Sequence, residues 1–186
     1  KDALERAEMA SEDVFVISAG GTFGVRIISY ARMRNPALLI ALDLADNRLE
    51  KAKEFGADLV MNPQKEDVTK KVLELTEGYG CDIYIEATGH PSSVQQGLNM
   101  IRKLGRFVEF SVFGQPATID WSIIGDRKEL DVLGSHLSPY CYPFVIRNIG
   151  NGSLKTDGVV SAMFPIEQWE KAFDHPPGKS GDLKVA

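Results

Sequence analysis

Val14-Phe-Val-Ile-Ser-Ala-Gly-Gly-Thr-Phe-Gly24 is the stretch whose reading decides the fold. Its first part, Val14–Ala19, is a β-branched and apolar run of the kind that forms a buried strand. Gly20 and Gly21 interrupt it, and Thr22–Arg34 then has the composition of a helix, stopped by Asn35-Pro36. Strand, glycine turn and helix in that order set a helix N-terminus just beyond the strand. Its unpaired N–H groups and partial positive charge suit a phosphate.

Outward from this unit the alternation repeats. Leu38–Asp43 is a second buried run, and Ala45, Leu49 and Ala52 follow at i, i+4, i+7 on one helical face, with Gly56 at the place of a helix C-cap. Leu59–Met61 is a brief third strand, and Val68, Val72 and Leu75 form the next helical stripe. Cys81–Ala87 is a fourth strand, backed by a helix striped with Val94, Leu98 and Ile101, and Arg106–Val112 is a fifth. Strands apolar along their whole length, alternating with amphipathic helices, predict an α/β fold. Its parallel sheet is doubly wound, covered on both faces in the Rossmann manner. Past about residue 114 the rhythm changes: Ala117–Asp120 and Leu130–Ser135 read as strands with no full helix between them. Pro139, Pro143 and the Gly150-Asn-Gly152 turn follow, and a last helix carries Ile166, Trp169 and Phe173. The expected division is residues 1–138 as a nucleotide-binding domain and 139–186 as a segment of a second domain.

Against the dinucleotide pattern GxGxxG the loop reads Ala19-x-Gly21-x-x-Gly24, with alanine in the first glycine place. The second glycine lets the backbone approach a pyrophosphate, and the third lets helix and strand pack closely. Alanine is tolerable in the first place if its φ stays negative, with Gly20 supplying the turning freedom. The loop gains meaning from Asp43, which closes the second strand. An acid there accepts the ribose hydroxyls of an adenosine and repels a 2′-phosphate, which favours NAD over NADP. Asp43 as no more than the N-cap of the next helix is the plainer alternative.

Composition bounds the rest. The chain has 186 residues, 44% hydrophobic and 25% charged, with a net charge of −5, which argues against nucleic acid or an anionic membrane as partner. No window approaches the roughly 18 continuous apolar residues of a membrane span. The two cysteines, Cys81 and Cys141, form no CxxC pair, so neither a disulfide framework nor a cysteine zinc knuckle is encoded, and a reducing cytoplasm is expected. Lys1–Glu12 reads as the tail of a helix already under way, and Asp182–Ala186 as a strand cut short, so a longer parent is expected.

Together these pieces resemble the medium-chain dehydrogenase/reductase family. They are AGGTFG at 19–24, ALD at 41–43, RLEKAKEFGAD at 48–58, GCDIYIEATG at 80–89 and LGRFVEFSVFG at 104–114. DGVVSAMFPIEQWEKAFD at 157–174 resembles the segment with which such enzymes return to their catalytic domain. Within the family the flavour is that of the zinc-type sorbitol, threonine and erythritol/threitol dehydrogenases. The resemblance implies an NAD-binding half of an alcohol or polyol dehydrogenase whose parent is a homodimer or homotetramer. It also implies residue roles. Gly21 and Gly24 would hold the pyrophosphate, with Thr22 and Phe23 lending loop N–H groups beside Ala19. Asp43 would bind the adenosine ribose and Arg48 would flank it. Thr88 would border the nicotinamide ribose, the backbone of Ser111, Val112 and Phe113 would face the carboxamide, and Lys184 would reach the pyrophosphate.

In zinc members, zinc lowers the pKa of an alcohol whose hydride then passes to the nicotinamide. The resemblance sets the zinc ligands upstream of the glycine loop. His90, His136 and His175 form no spaced ligand cluster, so no metal or catalytic residue is expected in this chain, and the chain alone is expected to be inactive. Arg26 is assigned no role. Trp121, Ile123 and Ile124 are read either as an oligomer edge or as packed beneath a loop. Three rivals remain: a zinc-independent NADPH quinone-type reductase of the same superfamily, a non-catalytic dinucleotide-binding module, and a methyltransferase.

Overall fold

The computed structural model describes residues 1–175 and 183–186. Six strands form one sheet in the order β3-β2-β1-β4-β5-β6: β1 Val14–Ser18, β2 Leu38–Leu42, β3 Leu59–Met61, β4 Cys81–Glu86, β5 Ile101–Glu109 and β6 Asp131–Gly134. Every neighbouring pair is parallel. The helices are α1 Asp2–Arg6, α2 Thr22–Arg34, α3 Asp46–Glu54, α4 Val68–Leu75, α5 Pro91–Met100, α6 Tyr142–Gly150 and α7 Trp169–Phe173.

Two apolar clusters, one on each face, explain why the strands carry no polar alternation. On one face Phe15, Ile17, Leu39, Ile83 and Val108 meet α1, α2 and α3. On the other, Val16, Ile40, Tyr84 and Phe107 meet α4 and α5. Tyr84 stacks on Phe107, and its hydroxyl donates to the Ser93 carbonyl at 3.0 Å, while Ser93 Oγ donates to Ser18 Oγ at 2.9 Å. This buried chain ties the start of α5 to the end of β1. It requires Gly97, where a Cβ would sit 2.3 Å from the Tyr84 ring.

The doubly wound fold matches expectation, and four local readings do not. Ala117–Asp120 is irregular chain leading to a 3-10 turn at Trp121–Ile123, with Asp120 accepting from the Ser122 N–H. Ile101, expected on the α5 stripe, opens β5 opposite Cys81, and a register shift follows before Ile83 meets Arg106. Helix α6 was not anticipated, because Pro143 reads as a breaker. It stands in the first turn instead, where its missing N–H costs nothing. Gly20 does not supply turning freedom either: its φ is not positive. What excludes a side chain there is Arg48, whose Cβ lies 3.0 Å from where a Gly20 Cβ would be. Gly56, by contrast, has φ +112 directly after α3, as its C-cap place predicts.

The remaining expectations divide. Trp121 is 73% exposed while Ile123 is buried and Ile124 packs on the core, so the three residues do not form one surface. Cys81 is fully buried, and burial pushes its thiol well up. Cys141 is also buried, its Sγ donating to the Pro139 carbonyl at 3.4 Å. Arg26 is exposed. Of the expected terminal strand, Asp182 lies outside the described residues, and Val185 bridges Ala162 in parallel. Among the described residues no helix is long and apolar enough to cross a membrane.

Candidate functional site

Strand order reverses between β1 and β4, and an open parallel sheet takes its ligand in the crevice beyond the carboxyl ends at that point. Every expected site residue except Arg48 and Lys184 lies at one of those ends, on the turn that follows it or in the first turn of α2; Arg48 stands in the first turn of α3. Lys184 stands on the C-terminal segment, which reaches the same place.

The loop after β1 is held by contacts a side chain would break. A Cβ on Gly24 would lie 2.0 Å from the Ala19 carbonyl oxygen, so α2 can start this close to β1 only with glycine there. Gly21 is different: a Cβ there would meet only Arg48 Nη1, at 4.0 Å, and the space beside it is open. Gly21 is the N-cap of α2 and makes no side-chain cap bond, so the first N–H groups of a 13-residue helix face that space uncapped. Ala19 fits the first glycine place because its φ is not positive. Thr22 donates its hydroxyl to the Leu183 carbonyl, which ties the C-terminal segment to the start of α2 and brings exposed Lys184 to the same end. Phe23 is 63% exposed, and its ring meets Phe110 edge-on at 6.0 Å.

Asp43 joins this loop to β2. Its Oδ2 accepts the Gly20 N–H at 2.7 Å and its Oδ1 accepts the Ala45 N–H at 2.9 Å. The N-cap of α3 is Ala45, so Asp43 is not that helix's cap, and its carboxylate instead braces the glycine loop. Arg48 Nη1 stands 3.8 Å from Asp43 Oδ2, and Arg48 Nε is buried without a partner.

Beyond β4, the Glu86 side chain is fully buried and turns back on its own loop. It accepts the Thr88 N–H at 2.9 Å, the Thr88 hydroxyl at 2.6 Å and the Gly89 N–H at 3.2 Å. Gly89 has φ +72, and a Cβ on it would strike the Val112 carbonyl oxygen at 2.6 Å, so this turn is wedged against the turn after β5. In that second turn Ser111 Oγ donates to the Glu86 carbonyl at 3.3 Å, Val112 is 81% exposed and Phe113 is partly buried on the core.

A pocket of about 420 Å³ opens between α1 and the ends of β5 and β6, lined by Asp2, Arg6, Glu109, Ser111, Ser135 and His136. Asp2 accepts the Ser135 hydroxyl at 2.7 Å and Arg6 donates to the Gly134 carbonyl at 2.6 Å, which clamps α1 over β6. Burial holds Glu109 above the ordinary carboxylate range, and the Glu86 charge on the neighbouring strand adds to this. A larger hollow, of about 790 Å³, lies along α4 at Lys70, Leu73 and Gly78 and touches none of these strand ends. The smaller pocket shares Ser111 with the turn after β5.

Sequence reasoning therefore named both turns but missed Glu86, which holds them, and Glu109, Asp2 and Ser135, which line the adjoining pocket. Glu86 had a visible signal, a carboxylate closing a strand two residues before Thr88-Gly89. Asp2 and Ser135 had none, because their meeting depends on how α1 crosses β6. Among the described residues no three His, Cys, Asp or Glu side chains gather as metal ligands. His90 caps α5, accepting the Ser92 N–H at 3.3 Å, and His175 lies 5.8 Å from the Phe164 ring.

Comparison with known proteins agrees with this geometry. The chain is 46% identical over 184 residues to an erythritol/L-threitol dehydrogenase of Mycolicibacterium smegmatis, matching 99% of this chain and 51% of that protein. It is 30% identical over 173 residues to a D-arabitol-phosphate dehydrogenase of Enterococcus avium, covering 91% of this chain and 49% of the other. The crystal structure of L-idonate 5-dehydrogenase from Escherichia coli superposes with a TM-score of 0.90 at 27% identity, over 99% of this chain and 52% of that one. The chain thus spans about half the length of the curated relatives it matches. A family profile described as zinc-binding dehydrogenase matches residues 23–150, and on that match the chain belongs to the zinc-binding dehydrogenase family.

Proposed function

We propose that this chain is the NAD-binding half of a zinc-dependent alcohol or polyol dehydrogenase. In this reading residues 1–138 hold the cofactor and 139–186 return to a catalytic domain. The observation that carries it is the open, uncapped start of α2 at Gly21, with the Asp43 carboxylate braced beside it on Gly20. The groups present fit a dinucleotide from end to end. Gly21, Gly24 and the N–H groups of Thr22 and Phe23, next to Ala19, receive the pyrophosphate, with Lys184 as a counter-charge. Asp43 accepts the adenosine ribose hydroxyls on its remaining lone pairs, and Arg48 flanks them. Thr88 borders the second ribose, and the backbone of Ser111, Val112 and Phe113 meets the carboxamide beside the 420 Å³ pocket.

Bound NAD supplies the hydride acceptor. The chain's own residues orient it: the wedge of Gly89 against Val112 fixes the turn that borders the ring, and the Phe23–Phe110 pair walls the crevice with apolar surface. Zinc ligands are assigned to the part of the parent that precedes the glycine loop. The substrate is a small polyol, a tetritol in the narrowest form, supported by the 46% identity to the erythritol/L-threitol enzyme. A cytoplasmic homodimer or homotetramer completes the proposal; its supports are two free thiols and a β6 edge whose Val132 is 47% exposed.

Calorimetric titration of the chain with NAD⁺ and NADP⁺, repeated on Asp43→Asn, tests the reading. The expected result is a preference for NAD⁺ that narrows by about tenfold in the variant, the size of a lost charge-assisted hydrogen bond. A folded wild type that takes up neither nucleotide defeats the reading, and equal affinity for both defeats its NAD specificity.

A further inference from the structure

Among the described residues, Glu86 is the one bonded to both turns that border the ring end of the crevice. Its backbone carbonyl accepts the Phe110 N–H at 3.0 Å and the Ser111 hydroxyl at 3.3 Å, which holds the turn after β5. Its carboxylate accepts two N–H groups and a hydroxyl from Thr88 and Gly89, which holds the turn after β4. No cation neutralises this buried carboxylate in any of these contacts. Its charge is met by hydrogen-bond donors of the turn alone, an arrangement that strengthens each bond.

The consequence lies in the Thr88 hydroxyl. A hydroxyl has one proton and two lone pairs. The proton is committed to Glu86 Oε1 at 2.6 Å, and one lone pair accepts the His90 N–H at 3.1 Å. One lone pair is left, and Thr88 is exposed at the carboxyl end of the sheet. We infer that Glu86 is a positioning residue that makes Thr88 Oγ1 an acceptor only, set to receive a ligand hydroxyl, the hydroxyl of the ribose farther from the adenine. This rests on the dinucleotide reading above and adds the polarity of one contact and the residue that sets it. A ligand group that can only accept, such as a carbonyl or ether oxygen, is rejected at that position because it would face a second acceptor.

The test compares NAD⁺, ADP-ribose and ADP on the wild-type chain, Glu86→Gln, Thr88→Val and the double variant. ADP lacks the second ribose and serves as the internal control. Thr88→Val removes the acceptor at an exposed site, with its fold checked by thermal melting, whereas Glu86→Gln keeps one acceptor oxygen and turns its amide NH2 onto either the Thr88 donors or the Gly89 N–H. Both single variants are expected to weaken NAD⁺ and ADP-ribose by roughly three- to tenfold, the range of one hydrogen bond. ADP should stay within about twofold. The double variant should lose no more than the worse single, because the two residues act through one contact. A parallel loss for ADP in both variants, or a Thr88→Val chain that binds ADP-ribose as the wild type does, overturns the inference while the dinucleotide site stands. Wild-type chain that fails to bind ADP defeats the dinucleotide reading itself, and the inference with it.

Discussion

Helix α2 buries Val25, Ile27, Ile28, Tyr30 and Ala31, whereas α6, whose apolar content is as high, buries none of Tyr142, Phe144, Ile146 or Ile149. The contrast extends to the regions that hold them. Up to β6 almost every apolar stripe finds the sheet. After it, the only buried apolar residues among those described are Cys141, Val159 and Leu183, while Tyr140, Ile146, Met163, Ile166 and Phe173 stand in solvent. Helix α6 meets the rest of the chain chiefly through Phe144, edge-on to Tyr30 at 5.4 Å. A helical stripe becomes core only when another apolar surface lies within reach, and exposed apolar surface this extensive marks a face made for a partner. Since the relatives are about twice as long, the proposed occupant is the rest of the parent protein.

The same substitution in each region is the strongest way to break this comparison. Ile28→Ala, at a fully buried site, should cost about 2–5 kcal/mol in urea unfolding, and Ile146→Ala, at a 67% exposed one, no more than about 0.5 kcal/mol. Equal losses would mean that α6 is packed in solution against a surface absent here. A second pair uses glycine. Gly24→Ala sets a Cβ 2.0 Å from a carbonyl oxygen and should cost about 3 kcal/mol, together with dinucleotide binding. Gly150→Ala at the end of α6 meets nothing within 4 Å and should leave the thermal midpoint unchanged or slightly raised. If Gly24→Ala were as harmless, the approach of α2 to β1 would be looser than drawn.

The smallest effect concerns Glu109. Its folded pKa is raised, so the folded state holds that proton more tightly than the unfolded chain does, and ionisation costs stability. Stability from this group is fully present below the ordinary carboxylate range and is lost as pH rises through the raised value. Glu109→Gln should therefore raise the melting midpoint by about 1 °C at pH 8 and leave it unchanged near pH 4. A gain that persists at pH 4 would assign the effect to packing rather than to charge.

How much was legible in advance follows from the range of the forces involved. The loop Ala19–Gly24, Asp43 and the alternation of strands with helices were readable because each depends on neighbours in sequence: glycine where a helix must start against a strand, an acid at a strand end, apolar runs of strand length. Pro143 misled because proline is a breaker inside a helix and acceptable in its first turn, and only the position of the turn tells the two apart. Ala117–Asp120 misled because four residues of alternating character, Ala-Thr-Ile-Asp, carry no mark of whether a neighbouring strand is free to pair with them.

By itself, then, the amino-acid order determined a doubly wound sheet, the glycine turn after β1 and the acid at the end of β2, since these are written in local sterics and in the periodicity of apolar residues. Tertiary structure alone decided that Gly20 is small because Arg48 crosses it, that Asp43 braces the glycine loop, and that Glu86 holds two turns at once. It also decided that α1 closes over Ser135. Each of these joins residues far apart in the chain, and a hydrogen bond or a steric contact of that kind comes into being only once the sheet has set its strand ends side by side.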